Sequence, residues 1–358
     1  MSTCPVYNMG GLVVYDVFPR GKHCIIIDHP DYPESRILKI FNVYPIPEFE
    51  LKAVDMAVWG DPPVNREDHN MSVGLKDATK IQNYCWLEGL APRVYGICGV
   101  LLNNKKCLAQ EIEKRQHHSK DEAEAYEVYK KVKKLGETYG WGNDKDDVSS
   151  VDVMDGQLVD FNTFHPQDEH LDKIKALYFE LARYGKVYYQ DVPELGLHGG
   201  PRKSEDRVKY MKLDEIDFKS KSVADFGCAG GFFTRYAKSR GANKVHGYDY
   251  EDVKGSNNIK AARIIANELE YWNIDYIDQD LRTIQLLPDS YDITFFLSMN
   301  YHIGIPEWLP MVTKEVCIFE DNSKNRDALP TLEKMFSKVV KVGEALDHGN
   351  KPIYHCYV

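Results

Sequence analysis

Long hydrophobic runs are missing from this 358-residue chain. No apolar stretch approaches the roughly 20 residues needed to cross a bilayer, so no membrane-spanning helix and no membrane partner are expected. The first ten residues carry no basic stretch leading into an apolar core, which argues against a secretory leader and for a cytoplasmic protein. Paired cysteines are missing as well. Cys4, Cys24, Cys85, Cys98, Cys107, Cys228, Cys317 and Cys356 stand singly, with no Cys-x-x-Cys pair. Small buried thiols in a reducing compartment account for them better than disulfides or zinc, and no metal site is expected. Positive charge is in short supply: 45 Lys and Arg face 55 Asp and Glu, a formal net charge of −10. A nonspecific nucleic-acid binder neutralises phosphates with a basic surface, so strong binding of that kind is not expected. Local basic runs, such as Lys130, Lys131, Lys133 and Lys134, sit in a Glu-rich helical stretch and read as a solvated helix face. Repeats and low-complexity tracts are absent. What is present is an ordinary globular composition, 43% hydrophobic and 28% charged, in a chain long enough for two domains.

The pattern changes near residues 165–200. Upstream, apolar β-rich runs (Gly11–Phe18, His23–Asp28, Arg36–Val43) lead into a predicted helix, Lys76–Leu87. Short strands follow at Arg93–Gly96 and Lys106–Glu113, then a long charged helix, Asp121–Tyr139, and a strand at Gln157–Phe161. Segment Glu169–Tyr184 places Leu171, Ile174, Leu177, Leu181 and Ala182 at helical spacing and reads as a connecting helix. The Gly/Pro-punctuated Gly196–Arg202 is the natural loop between the halves. The predicted organisation is therefore 1–165, a connector 166–200, and 201–358.

From Ser222 onward short apolar strands alternate with helical stretches: Val223–Phe226, Val245–Asp249, Asn273–Ile277, Asp292–Leu297 and Val316–Glu320. Parallel neighbours need a crossover, and crossovers are usually helices, so this rhythm predicts a doubly wound α/β fold with a mostly parallel sheet. The last apolar runs, Lys338–Val342 and Ile353–Val358, flank His348-Gly349-Asn350 and predict a terminal antiparallel hairpin.

The strongest local signal is Val223-Ala-Asp-Phe-Gly-Cys-Ala-Gly-Gly-Phe-Phe-Thr234. A strand runs into a turn of small residues, Gly227, Ala229, Gly230 and Gly231, and a helix starts near Phe232 and stops at Arg240-Gly241. Small residues let the backbone approach a ligand, and the helix start adds unpaired N–H groups. A dinucleotide fingerprint needs its third glycine where Phe232 stands, to leave the pyrophosphate room. About 20 residues on, at the end of the second strand, Asp249 has the spacing of an acid that grips ribose hydroxyls. Asp278-Gln-Asp280-Leu281 follows the third strand, where an acid and a backbone N–H can read an adenine edge.

These residues together resemble class I methyltransferases that use S-adenosyl-L-methionine (SAM), over about residues 200–358. The resemblance implies a seven-stranded sheet with a reversed strand near its end. It implies SAM as the cofactor, held by Asp225, Gly227, Ala229, Gly231, Asp249, Tyr250, Asp280, Leu281 and Ser298. The fourth strand exits through Ser298-Met-Asn300-Tyr-His302. It lacks the Asn/Asp-Pro-Pro-Tyr/Phe motif of amino-methylating DNA enzymes and has no clear match to the Lys-Asp-Lys-Glu set of RNA ribose methyltransferases. What remains resembles small-molecule, sugar and tRNA wobble-modifying enzymes.

His302 is then a candidate general base or acceptor-orienting group, because a neutral imidazole titrates near working pH; a histidine bonded to backbone at a helix start is the plainer reading. Asn300 is a second candidate. Glu320, with Asp321 beside it, could hold hydroxyls or act as a base, against a solvated capping pair. Arg202, Lys203 and Arg207 could cover the cofactor carboxylate or an anionic acceptor, against a solvated surface. Tyr188 and Tyr189 are candidate stacking residues that packing explains equally well. The acceptor class is left open as a small molecule, a glycan or RNA, and the oligomeric state is not predicted.

The first half, about residues 10–165, resembles a truncated α+β protein-kinase N-lobe. Arg36-Ile-Leu-Lys39-Ile-Phe41 is similar to the lysine-bearing strand and follows a Gly10-Gly11 hairpin candidate. Lys76–Leu87 is similar to the regulatory helix, Gln110–Glu113 to the hinge, and Gly156-Gln-Leu-Val-Asp160-Phe-Asn162 to the metal-binding segment. Lys39 and Asp160 are the residues such a fold would use for a nucleotide. No His-x-Asp match appears within Trp141–Asp147, and phosphoryl transfer needs an acid there, so a catalytically silent recognition domain is expected. Three functions follow: methyl transfer to oxygen or nitrogen, a bifunctional kinase–methyltransferase acting on a sugar-polymer end, or a noncatalytic SAM-binding scaffold.

Overall fold

The computed structural model describes residues 6–8, 24–41, 75–102, 105–115, 121–143, 153–158, 161, 164–184, 187–188, 190–198, 202–250, 257–322, 327–346 and 349–358. Two compact units divide the chain, Met1–Ile174 and Lys175–Val358.

The first unit contains β1 (Val6–Asn8), β2 (Cys24–Asp28), β3 (Arg36–Phe41), α1 (Leu75–Leu87), β4 (Val94–Leu102), β5 (Lys105–Glu113), α2 (Glu122–Tyr139) and the short strands β6 (Trp141–Asn143), β7 (Val153–Met154), β8 (Gln157–Leu158) and β9 (Phe164–Pro166). Five strands form one sheet in the order β1-β4-β5-β3-β2. Its pairs are antiparallel except for β1 with β4, which is parallel. Helix α1 buries Ala78, Ile81, Tyr84 and Cys85, the stripe its spacing dictates. Its polar side chains are tied down across the sheet. Gln110 Nε2 donates to Thr79 Oγ1 at 2.7 Å, and Val94 N–H donates to Asn83 Oδ1 at 2.8 Å. Asp121 caps α2 by accepting from Ala123 N–H, and Gly140 closes it at φ +80°. Lys130, Lys131, Lys133 and Lys134 are all exposed on α2, as a solvated face requires. The runs at Gly11–Phe18 and around Asp160-Phe161-Asn162 lie outside the described residues, except for Phe161, which is buried.

The division between units falls inside α3 (His170–Ala182), the helix predicted as a connector, and not in the Gly196–Arg202 loop. The reason is packing. Tyr178, Ala182, Val192 and Leu197 bury against Ala261 and Ile265, so residues from 175 onward belong to the second core.

That second unit continues through the small antiparallel pair β10 (Arg183–Tyr184) and β11 (Val187–Tyr188) to α4 (Ser204–Tyr210). Its sheet is built from β12 (Ser222–Phe226), β13 (Lys244–Asp249), β14 (Ile274–Asp278), β15 (Tyr291–Leu297), β16 (Thr313–Glu320), β17 (Lys338–Ala345) and β18 (Lys351–Tyr357). The order is β14-β13-β12-β15-β16-β18-β17. The first five named run parallel, whereas β18 is antiparallel to both of its neighbours. This is the expected seven-stranded, doubly wound sheet with its terminal hairpin. Helices α5 (Phe232–Ser239) and α6 (Asn258–Glu268) cover one face, packing Phe233, Ala237, Ile259 and Ala262 on Val223, Val245 and Phe295. On the other face Leu309 and Val312 of α8 (Trp308–Val312) and Leu332 of α9 (Leu329–Met335) pack on Ala224, Phe226, Phe296 and Phe319. Alternate residues of each strand thus feed two cores, and the strands read as nearly continuous apolar runs. Strand order reverses between β12 and β15, which opens a crevice at their carboxyl ends.

Candidate active site

The small-residue turn closes over the end of β13. Both Gly227 N–H and Cys228 N–H donate to Tyr248 O, at 2.8 and 2.9 Å. Ala229 N–H donates to Asp249 Oδ2 at 2.8 Å, and Tyr250 N–H donates to Asp249 Oδ1 at 2.8 Å. Asp249 therefore holds the loop as well as standing at the strand end where a ribose is expected. Gly227 and Gly231 adopt φ +86° and +73°, conformations that favour glycine. A Cβ on Gly227 would lie 2.3 Å from Met299 Sδ, and one on Gly231 would lie 2.6 Å from the Tyr276 hydroxyl. Ala229 occupies the left-handed region at φ +45°, strain that a glycine there would relieve. Phe232 and Phe233 turn away into the core, so the loop is not packed shut by them.

Asp225, two residues before the turn, is 1% exposed, and its Oδ2 is buried without a hydrogen-bond partner. Burial, reinforced by the Asp249 carboxylate and opposed by Arg207, pushes its pKa up to about 8. Asp280 is engaged by Arg282, whose Nε and Nη2 donate to its two oxygens at 2.9 and 2.8 Å. Leu281 is buried in the core beside Phe226, and Tyr250 is half exposed.

The exits of β15 and β16 are latched together. Ser298, at φ +62°, donates its N–H to Glu320 O at 3.0 Å and its hydroxyl to Glu320 Oε1. Asn300 Nδ2 donates to Asp321 Oδ1 at 2.7 Å, and Asn300 Oδ1 accepts from Asn322 N–H at 2.9 Å. Glu320 is fully buried and also receives Arg202 Nη1, at 3.4 Å, and Arg207 Nη2. Burial alone would raise its pKa, but Arg207, the Ser298 hydroxyl and Arg202 hold it below the usual value. The solvated readings of Glu320, Asp321, Arg202 and Arg207 are thus overturned, and only Lys203 is exposed. Tyr301 and His302, on the four-residue helix α7 (Asn300–Ile303), are exposed with their rings in edge contact.

In the first unit Lys39 is 8% exposed on β3, opposite Gln110 of β5. Asp160 and Tyr189 lie outside the described residues, as does the Tyr188 side chain. Among the described residues no helix is long and apolar enough to cross a membrane, and no group of three His, Cys, Asp or Glu side chains is placed to hold a metal. Sequence reasoning passed over Gln190, which the fold buries beside Gly230; it belongs to no motif and sits in a short irregular segment.

No family model matches this sequence, and neither does any protein of curated function. Among solved structures, a SAM-dependent methyltransferase from Mesorhizobium loti is similar at 20% identity and a TM-score of 0.28, over 33% of this chain and 53% of its own. The chain thus spans about half the length of that protein. A magnesium protoporphyrin IX methyltransferase from Synechocystis PCC 6803, crystallised with SAM, is similar at 18% identity and a TM-score of 0.34, over 43% of this chain and 77% of its own. A SAM-dependent methyltransferase from Aquifex aeolicus is similar at 17% identity and a TM-score of 0.32, over 52% of this chain and 96% of its own. None of the three is a kinase, and the kinase-like reading of the first unit gains no support from them.

Proposed function

We propose that the second unit binds SAM at the carboxyl ends of β12 and β13 and transfers its methyl group to an oxygen or nitrogen of a small molecule, a glycan or RNA. The observation that carries this reading is the loop itself. Backbone stripped of side chains is wound over the end of β13 and tied to Asp249, beside the crevice where the strand order reverses. The residues suit the cofactor in that the unpartnered oxygen of buried Asp225 suits a cationic head group.

When bound, SAM supplies a methyl group on a sulfonium, a good leaving group, so the protein need only align the acceptor. Asp249 would hold the ribose hydroxyls while keeping the loop closed. Gly227, Ala229, Gly231 and Tyr250 would give backbone to the cofactor, and Asp280 with Leu281 would border the adenine. Ser298 would face the crevice from the fourth strand. His302 is an exposed imidazole at that exit and is assigned to accept or orient the acceptor proton, with Asn300 setting the turn that carries it. Glu320, saturated by Arg202, Arg207 and Ser298, supports the floor of the site and is not assigned as the base.

Calorimetry with SAM tests the reading. The wild type should bind, and Asp249→Ala should weaken binding by about 1.5–3 kcal/mol, the range for a charge-assisted hydrogen bond. Unchanged affinity would mean that the cofactor lies elsewhere. Incubating the protein and labelled SAM with a host lysate, followed by untargeted mass spectrometry, should then identify the acceptor.

A further inference from the structure

Residues 190–198 form a strap that is fastened to Arg202 and Ser204. Gln190 pairs with Arg202 in a parallel bridge, and Val192 pairs with Leu197 to close the turn between them. The Asp191 carboxylate accepts from Ser204 N–H at 2.8 Å, and Arg202 reaches Glu320 at the end of β16. At the other end the strap meets the glycine turn. A Cβ on Gly230 would lie 2.7 Å from the Tyr178 hydroxyl and 3.6 Å from Gln190 Oε1. Gln190 is only 7% exposed, and that amide oxygen is buried with no hydrogen-bond partner.

A native fold rarely leaves a buried acceptor unsatisfied, because the group loses water and gains nothing. Among the described residues of the second unit, two buried side-chain oxygens are in this state, Gln190 Oε1 and Asp225 Oδ2. Both belong to the neighbourhood of one loop, Asp225 leading into it and Gln190 lying over Gly230. Both are acceptors. What completes them is a donor, and an ammonium carries three N–H groups.

Resting on the SAM reading above, we propose that Gln190 is a further cofactor-binding residue, whose amide oxygen accepts a hydrogen bond from the α-ammonium of the cofactor's amino-acid end. Gln190 thereby selects for ligands that carry that amine. The strap places it by fastening residues 190–191 to Arg202 and Ser204, so the contact depends on the chain that precedes the sheet.

The test compares two ligands that share the adenosyl thioether but differ at this end. S-adenosylhomocysteine carries the ammonium; methylthioadenosine lacks the whole amino-acid arm. Calorimetry on Gln190→Ala should show homocysteine-ligand affinity falling roughly tenfold or more, with methylthioadenosine unchanged within about twofold. Gln190→Met, which keeps the length and apolar volume but has no acceptor oxygen, should repeat that selective loss and guards against a packing artefact. Equal losses for both ligands, or unchanged S-adenosylhomocysteine affinity in both variants, overturn the assignment and leave the SAM reading standing. If the wild type binds neither ligand, the SAM reading itself falls and takes this assignment with it.

Discussion

Changing Asp225 to asparagine removes a titratable group whose proton the folded chain holds far more tightly than the unfolded chain does. The carboxyl moves from an ordinary 3.8 to about 8, mainly through burial and secondarily through Asp249. Because the folded value is raised, the stability this group contributes is fully present below pH 3.8 and is lost as pH rises through about 8. Between those limits the native state keeps a proton that the unfolded state releases, so each pH unit costs about 1.4 kcal/mol. From about pH 5.5 to about pH 8 the wild type should therefore lose on the order of 3 kcal/mol relative to Asp225→Asn, whose amide does not titrate. Urea denaturation of both proteins across that window measures the difference directly. An ammonium seated beside the carboxylate would lower its pKa, so saturating S-adenosylhomocysteine should flatten the slope. Parallel stability curves for the two proteins would refute the reasoning, because they would mean that Asp225 ionises as freely inside the fold as outside it.

Gly227→Ala forces a Cβ against Met299 Sδ at a backbone φ of +86°, and should cost roughly 1–3 kcal/mol while weakening SAM binding, as read by thermal denaturation with and without ligand. Arg207→Ala leaves the fully buried Glu320 short of a counter-charge and should destabilise by about 3–5 kcal/mol in urea. Adding Glu320→Gln to that variant should restore part of the loss; a double variant less stable than Arg207→Ala alone would show that charge is not the cause.

The glycine turn, the acid twenty residues on and the strand–helix rhythm were legible because each is a local or evenly spaced pattern written in contiguous sequence. Val223–Phe226 and Phe232 to Arg240 emerge within a residue of β12 and α5. The fate of the charged residues was not legible. Glu320 meets Arg207 and Arg202 across 113 and 118 positions of chain, and a charge read alone looks solvated. Asp280 was singled out for an adenine edge, yet Arg282, two residues along, already holds both of its oxygens. Gln190 was invisible for a different reason: one amide in an irregular segment acquires meaning only when burial strips it of water. In the first unit the strands at Arg36–Val43 and Lys106–Glu113 were found nearly in place, whereas Arg93–Gly96 proved to be the start of the longer β4.

The clasp of two arginines on Glu320 also says where the second unit begins. A fragment trimmed to start at Met211, just ahead of the first strand of its sheet, would keep all seven strands yet strand an anion in the interior and uncover Ala261 and Ile265. The sheet is thus not self-sufficient. Its integrity is lent by residues 175–210, upstream of the trimmed start, and any autonomous version of this unit must carry them from Lys175 onward.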